Sequence, residues 1–168
     1  MSIVNVSDFI GEYEIAQIEQ ANVASVVQKY IDKYEADYLN KVLGYALNQL
    51  YNTGIIAGTQ AYLAIKNGST YTDFYGDVVK YEGMENAIRN YIYYHYISTN
   101  VSFTTGSGEK TMDKGNAVSS MDKQIRVWNE MVTINRVLRA FLYANTTVYG
   151  SVSWRYNEMF QYQNSLGL

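Results

Sequence analysis

The chain has 168 residues, no Cys, no Pro and one His, and its 13 basic and 16 acidic residues leave a net charge of −3. That length suits one domain with its own core, and the missing Cys excludes disulfides, thiolate zinc sites and cysteine nucleophiles, while a single His excludes histidine-rich metal centres. Scattered Lys and Arg argue against a polyanion-binding module or specific nucleic-acid recognition, and 18 Tyr, amphipathic side chains that favour interfaces, lean towards a protein of contacts.

In chain order, residues 1–20 read as an irregular N-terminal arm: Gly11 interrupts, and Tyr13, Ile15 and Ile18 have no helical period. From Val23 to Leu50, apolar residues recur every three or four positions (Val27, Ile31, Tyr34, Tyr38, Val42), which predicts a helix, or two with a join near Ile31–Tyr34. Asn22 is the predicted N-cap and Gly54 the predicted stop, while Gly44 sits on the stripe where another backbone can approach closely. No charge occurs between Val42 and Ile65, yet Asn48, Gln49, Asn52 and Gln60 interrupt the run and Asn52-Thr53-Gly54 reads as a turn. Two packed pieces are expected here rather than a membrane span. The start of the chain has neither a basic nor an apolar region of the kind a signal peptide needs, so synthesis in a reducing cytoplasm is expected.

A short helix is expected within 55–65, and 66–80 reads as a loop decorated by Tyr71, Phe74 and Tyr75. The second strong helix is 83–98, with Met84, Ile88, Tyr91, Ile92 and His95 on one face and Tyr93, Tyr94 and Tyr96 around the rest. An aromatic belt on nearly every side implies full burial or a partner. Residues 99–118, rich in Gly, Ser and Thr, form an excursion too long for a mere connector, with a β-hairpin over 101–112. The third strong helix is 119–144, striped by Ile125, Trp128, Val132, Asn135 and Leu138. Residues 146–168 form an aromatic C-terminal arm that must pack back or dock on a neighbour.

Candidate chemistry is sparse. His95 has no local Ser or Asp partner and reads as a core or interface histidine. Gly106-Ser107-Gly108-Glu109-Lys110 lacks the spacing of a phosphate loop. Asp32, Glu35 and Asp37 alternate with Lys33 and Lys41 as on a solvated helix face, and Asp113 to Asp122 does not match a calcium loop. No catalytic, metal or cofactor residue is assigned, and the expectation is of no enzyme activity.

Three segments carry a resemblance. Tyr30 to Gly44 (YIDKYEADYLNKVLG) resembles the opening helices of tailed-phage head–tail connector proteins, with their leucine-glycine step. Lys80 to Tyr96 resembles their next helix, and Lys123 to Met131 resembles the last helix of the versions found in crAss-like Bacteroides phages. The glycine-rich insertion at Thr104–Lys110 falls where these proteins carry a projecting hairpin. The resemblance covers roughly residues 9–145, and it departs from the simplest members in the Tyr-rich tail.

The resemblance implies a non-enzymatic virion adaptor, made in the host cytoplasm. Its copies form a ring, twelvefold like the portal above it. The ring joins the portal protein to an adjacent neck or tail protein, and DNA passes through without being read. The fold expected is an all-α bundle of four or five helices with a hairpin or loop insertion and extended termini. Its single domain divides into an N-terminal arm (1–20), a helical core (21–98), the excursion (99–118), a long helix (119–145) and the C-terminal arm (146–168). Expected contact residues are Tyr93, Tyr94, Tyr96, Phe103, Met112, Tyr149, Trp154, Tyr156, Phe160 and Tyr162. The rival expectations are a tail-completion or stopper protein, and a small helical enzyme or ligand-binding bundle using His95.

Overall fold

A computed structural model describes residues 2–100, 102–105, 108–111, 120–152 and 156–164; the side chains of residue 100, of the strands within 102–111 and of residues 120–121 lie outside the description. The chain is mostly helical, with short antiparallel strand pairs. Its elements are α1 (Ala21–Ile56), α2 (Gln60–Asn67), β1 (Ser69–Thr72), β2 (Val78–Tyr81), α3 (Glu85–Asn100), β3 (Ser102–Thr105), β4 (Gly108–Thr111), α4 (Ser120–Ala144) and α5 (Thr146–Tyr149). Helix α3 lies between α1 and α4 and packs on both.

The apolar stripe read from the sequence is the buried face of α1, where Val27, Ile31, Tyr38, Leu39, Val42 and Leu43 are in the core. The join falls at Gly44 and not near Ile31–Tyr34. Gly44 has φ 72° and ψ 163°, a conformation essentially restricted to glycine, so the helix breaks there and resumes. The stop predicted at Gly54 is corrected: Gly54 is helical and buried, and a Cβ there would collide with the ring of Tyr62 on α2. Its missing side chain serves helix packing, not termination. Asn22 lies inside the first turn, and the residue before the helix is Gln20 with no side-chain cap.

The 66–80 region is also corrected. It holds the antiparallel pair β1–β2, with Tyr71 opposite Val79 and Ser69 opposite Tyr81. Tyr71 and Tyr81 point to one side and pack on Phe141 of α4, with ring centroids 5.8 and 5.1 Å away, and the Tyr81 hydroxyl donates to the Ile65 carbonyl at 2.8 Å. Within the 99–118 excursion, β3 and β4 form the second antiparallel pair, Ser102 opposite Thr111 and Thr105 opposite Gly108.

The described residues of the two terminal segments are not the extended arms expected. Val4, Phe9 and Ile15 are buried in the core, and the lead-in is wound into 3-10 turns at Val6–Asp8 and Gly11–Tyr13. The buried carboxylate of Glu35 accepts from the backbone N–H of Ile3 (3.0 and 3.1 Å) and Val4 (3.2 Å) and from the Ser2 hydroxyl (2.7 Å). These are strong, charge-assisted bonds that tie the lead-in to α1. At the other end, a 3-10 turn at Asn157–Phe160 puts Met159 and Phe160 into the core against α4.

Side chains of α4 satisfy the backbone of that segment. Trp128 Nε1 donates to the Gln161 carbonyl (2.9 Å), Arg136 Nε to the Phe160 carbonyl (3.0 Å), and the Asn129 amide pairs with both backbone groups of Gln163 (2.7 and 2.8 Å). Deepest is Asn135. Its Nδ2 donates to the Met159 carbonyl at 2.8 Å and its Oδ1 accepts the Tyr38 hydroxyl of α1 at 2.5 Å.

Asn135→Leu would strand a buried hydroxyl and a buried carbonyl, each costing about 1–3 kcal/mol when unpaired. We therefore expect a loss of about 2–4 kcal/mol in denaturant unfolding, with Tyr38→Phe losing about half as much. Deletion of 157–168 removes two buried apolar side chains and should cost about 3 kcal/mol or more. An unchanged midpoint in that deletion would show the tail to be dispensable to the core.

Candidate functional site

The one imidazole sits in a polar and aromatic seam between α1 and α3. The hydroxyl of Tyr91 donates to Asp37 Oδ2 at 2.6 Å, Lys41 Nζ donates to the Tyr91 hydroxyl at 2.9 Å, and Lys41 closes the triangle with Asp37 at 2.9 Å. Residues 37 and 41 are one helical turn apart on α1, so the geometry follows from helix spacing. The His95 ring stacks on Tyr34 at 4.0 Å with planes 5° apart, and meets the edge of Tyr91 at 4.5 Å. Its Nε2 is buried without a hydrogen-bond partner.

The electrostatics follow from this packing. Burial, reinforced by the Lys41 ammonium, pushes the His95 imidazole down to about 4, so it is neutral near pH 7. Burial works against the Asp37 carboxylate, but the hydrogen bonds from Tyr91 and Lys41 outweigh it and hold its pKa below the usual range. Burial likewise opposes the Lys41 charge, and its bonds to Tyr91 and Asp37 raise its pKa all the same. The cluster therefore holds its charges in fixed pairs. Among the described residues, no three His, Asp or Glu side chains converge on a metal site, and no helix is long and apolar enough to cross a membrane.

The residues expected to make contacts fall into distinct groups. Tyr93 is 2% exposed, edge-on to Tyr13 at 5.7 Å and under Lys123 at 4.9 Å; Phe160 is 5% exposed; and Tyr149 is buried with its hydroxyl on the Ala61 carbonyl at 2.8 Å. As free contact surface these three are corrected, because the chain's own core consumes them. Tyr94 packs on Trp128 at 4.9 Å and Tyr96 on Tyr30 at 5.4 Å, both half-buried. Tyr156 and Tyr162 are exposed, the latter under the Arg136 guanidinium at 4.2 Å. Phe103 lies on β3 with its side chain outside the description, and Met112 and Trp154 lie outside the described residues.

The exposed apolar surface lies elsewhere. Phe74 is 97% and Tyr75 86% exposed at the turn between β1 and β2, with Val78 beside them, and Tyr45, Leu50 and Ile56 are exposed along the second half of α1. The signal for the turn was present in the sequence: two adjacent aromatics bracketed by Asp73 and Gly76-Asp77 cannot be core residues of a turn that tight. The α1 surface carried no such signal, since its residues share the stripe's spacing. Compared with known protein families, curated proteins and solved structures, the chain matches none.

The depressed His95 pKa gives a pH test. The unfolded chain takes up a proton near 6.5 and the folded chain only near 4, so the stability held above pH 6.5 is lost as pH falls towards 4. The ring is only partly buried, so the loss should be on the order of 1 kcal/mol. His95→Phe, which keeps a stacking ring, should flatten that slope between pH 7 and 4.5 in urea melts; an unaltered slope would mean His95 is not its source.

Proposed function

We propose that the chain is a structural subunit of a tailed-phage neck: a head-to-tail connector whose copies form a ring beneath the portal and join it to the next neck or tail protein. The observation that carries this reading is the placement of aromatic surface. A rigid hairpin lifts Phe74 and Tyr75 almost wholly into solvent on a chain that buries most of its large side chains. Clustered exposed apolar groups of that kind mark interaction sites. The titratable groups favour the same conclusion, because Asp37, Lys41 and Tyr91 are spent on one another and the His95 ring is spent on stacking.

The likeness to connectors rests on the sequence segments at 30–44, 80–96 and 123–131, which lie largely in α1, α3 and α4. In this reading the three helices set the subunit's shape, and the β1–β2 and β3–β4 hairpins reach the neighbours. The mechanism is geometric and involves no turnover. Head-to-tail contacts around a circle use two different patches of each copy, which a chain with several projecting elements can supply.

The test combines the sedimentation of the purified chain with the protein composition of purified particles. The reading expects a ring-sized assembly, alone or on the portal, and a fixed number of copies in each particle. A monodisperse monomer that is absent from particles would contradict it. Location at the far end of the tail would favour the tail-completion alternative.

A further inference from the structure

Helix α1 is two helices joined by one residue. Gly44, with φ 72° and ψ 163°, is the non-helical residue between Ala21 and Ile56. That conformation belongs essentially to glycine, and one residue is a shorter link than packed helices usually have. The bend it makes is deep. Asn48 Nδ2 donates to Asn40 Oδ1 at 2.7 Å, yet residues eight apart in an unbroken helix lie about 12 Å apart along its axis. Two short amide side chains cannot span that rise, so the bond exists because the chain turns at Gly44. The Tyr51 phenol reports the same bend: burial and then the Glu35 charge raise its pKa, although Glu35 lies on the other side of the break.

The residues before the break are held from elsewhere in the chain. Tyr38 donates to Asn135 of α4 at 2.5 Å, Tyr91 of α3 donates to Asp37 at 2.6 Å, and Lys41 donates to Tyr91 at 2.9 Å. Tyr34 stacks on His95 at 4.0 Å, and Tyr13 meets Tyr93 edge-on at 5.7 Å. Residues 2–43 thus occupy a seat formed by α3 and α4, and Gly44 decides which copy's seat they reach. With Gly44 helical, α1 becomes one rod of 36 residues, about 54 Å long. Asn40 and Asn48 then separate, and residues 2–43 leave their own α3 and α4. Their buried side chains, among them Phe9, Ile31 and Tyr38, need the same seat elsewhere. A second copy of this chain, opened in the same way, presents that seat with its polar groups already matched.

We infer that Gly44 is the hinge of an exchange: on self-association α1 straightens, and residues 2–43 of one copy take their seat on α3 and α4 of a second copy. The exchange re-forms the Asn135, Tyr91 and His95 contacts between copies instead of within one, so the balance rests on the hinge. For this reason exchange of an identical element is a low-cost route to association, and short, constrained hinges favour it. Straightening is partly self-supporting, because the helical hydrogen-bond ladder then runs on through Gly44. The run without charge from Val42 to Ile65 suits the opened form, since no like charges meet where the two rods cross. The inference goes beyond the neck reading and does not depend on it: it concerns how copies of this chain join, and its failure leaves that reading standing.

The chain has no Cys, so a linkage test has no background. Tyr34→Cys and His95→Cys, at positions whose native rings stack at 4.0 Å, are made in separate full-length chains. The two are mixed, unfolded in urea, refolded together at high concentration and treated with a short bismaleimide. The expected result is a linked dimer from the mixture at about tenfold or more the yield of either variant alone. A mixture that links no better than the separate variants would overturn the inference. Gly44→Ala tests the hinge itself, because alanine favours the helical conformation and strains the bent one. That variant should keep its helical circular dichroism and associate at about tenfold or more lower concentration than wild type in sedimentation. A folded Gly44→Ala chain that associates no more readily than wild type refutes the hinge. If Gly44→Ala does not fold, the linkage yield of the two single-Cys chains, which keep Gly44, decides by itself.

Discussion

The fold turns on one amide. Asn135 sits at the centre of α4, fully buried, and uses both ends of its side chain on partners far apart in sequence: the Tyr38 hydroxyl of α1 and the Met159 carbonyl of the C-terminal segment. A primary amide is one of the few groups that can accept from one partner and donate to another in so little space. In a dry core, each of those partners would otherwise be an unpaired polar group. The constraint therefore fixes three things together: the rotation of α4, its registry with α1, and the docking of the tail.

Around that point the remaining contacts are consistent with one another. Tyr91 is the hinge of the α1–α3 seam. Its ring touches Tyr38 at 5.7 Å and Trp128 at 6.3 Å, and its hydroxyl anchors Asp37 and Lys41. Much of the tyrosine content is thereby explained as internal structure, since a phenol can fill a core and still reach a polar partner. Glu35 plays for the lead-in the part that Asn135 plays for the tail. With the described terminal segments drawn onto the bundle, the β1–β2 turn carries its aromatics, Phe74 and Tyr75, outward.

Much of this was legible in the sequence. The three long helices follow from apolar spacing, and α3 and α4 begin and end within two residues of the reading. The β3–β4 hairpin follows from its weak alternation around glycines. What was not legible depended on tertiary partners. The β1–β2 pair has strands of only four residues, and its Tyr71 and Tyr81 become strand residues because Phe141 lies beneath them. Glu35 reads as one more surface carboxylate until the backbone of Ile3 and Val4 is brought to it, and Asn135 reads as a blemish on an apolar stripe. The contact residues were misplaced for the same reason: Tyr93, Tyr149 and Phe160 look surplus to a core whose size only the packed helices reveal.

The central claim is that the described N-terminal and C-terminal segments are parts of the bundle. Native-state amide hydrogen exchange of the isolated chain tests it at both ends at once. The N–H groups of Ile3 and Val4 are bonded to Glu35, and that of Gln163 to the Asn129 side chain. The account predicts that these amides exchange far more slowly than unstructured ones, with protection approaching that of α4. Exchange at random-coil rates at either end would show a free arm and contradict it.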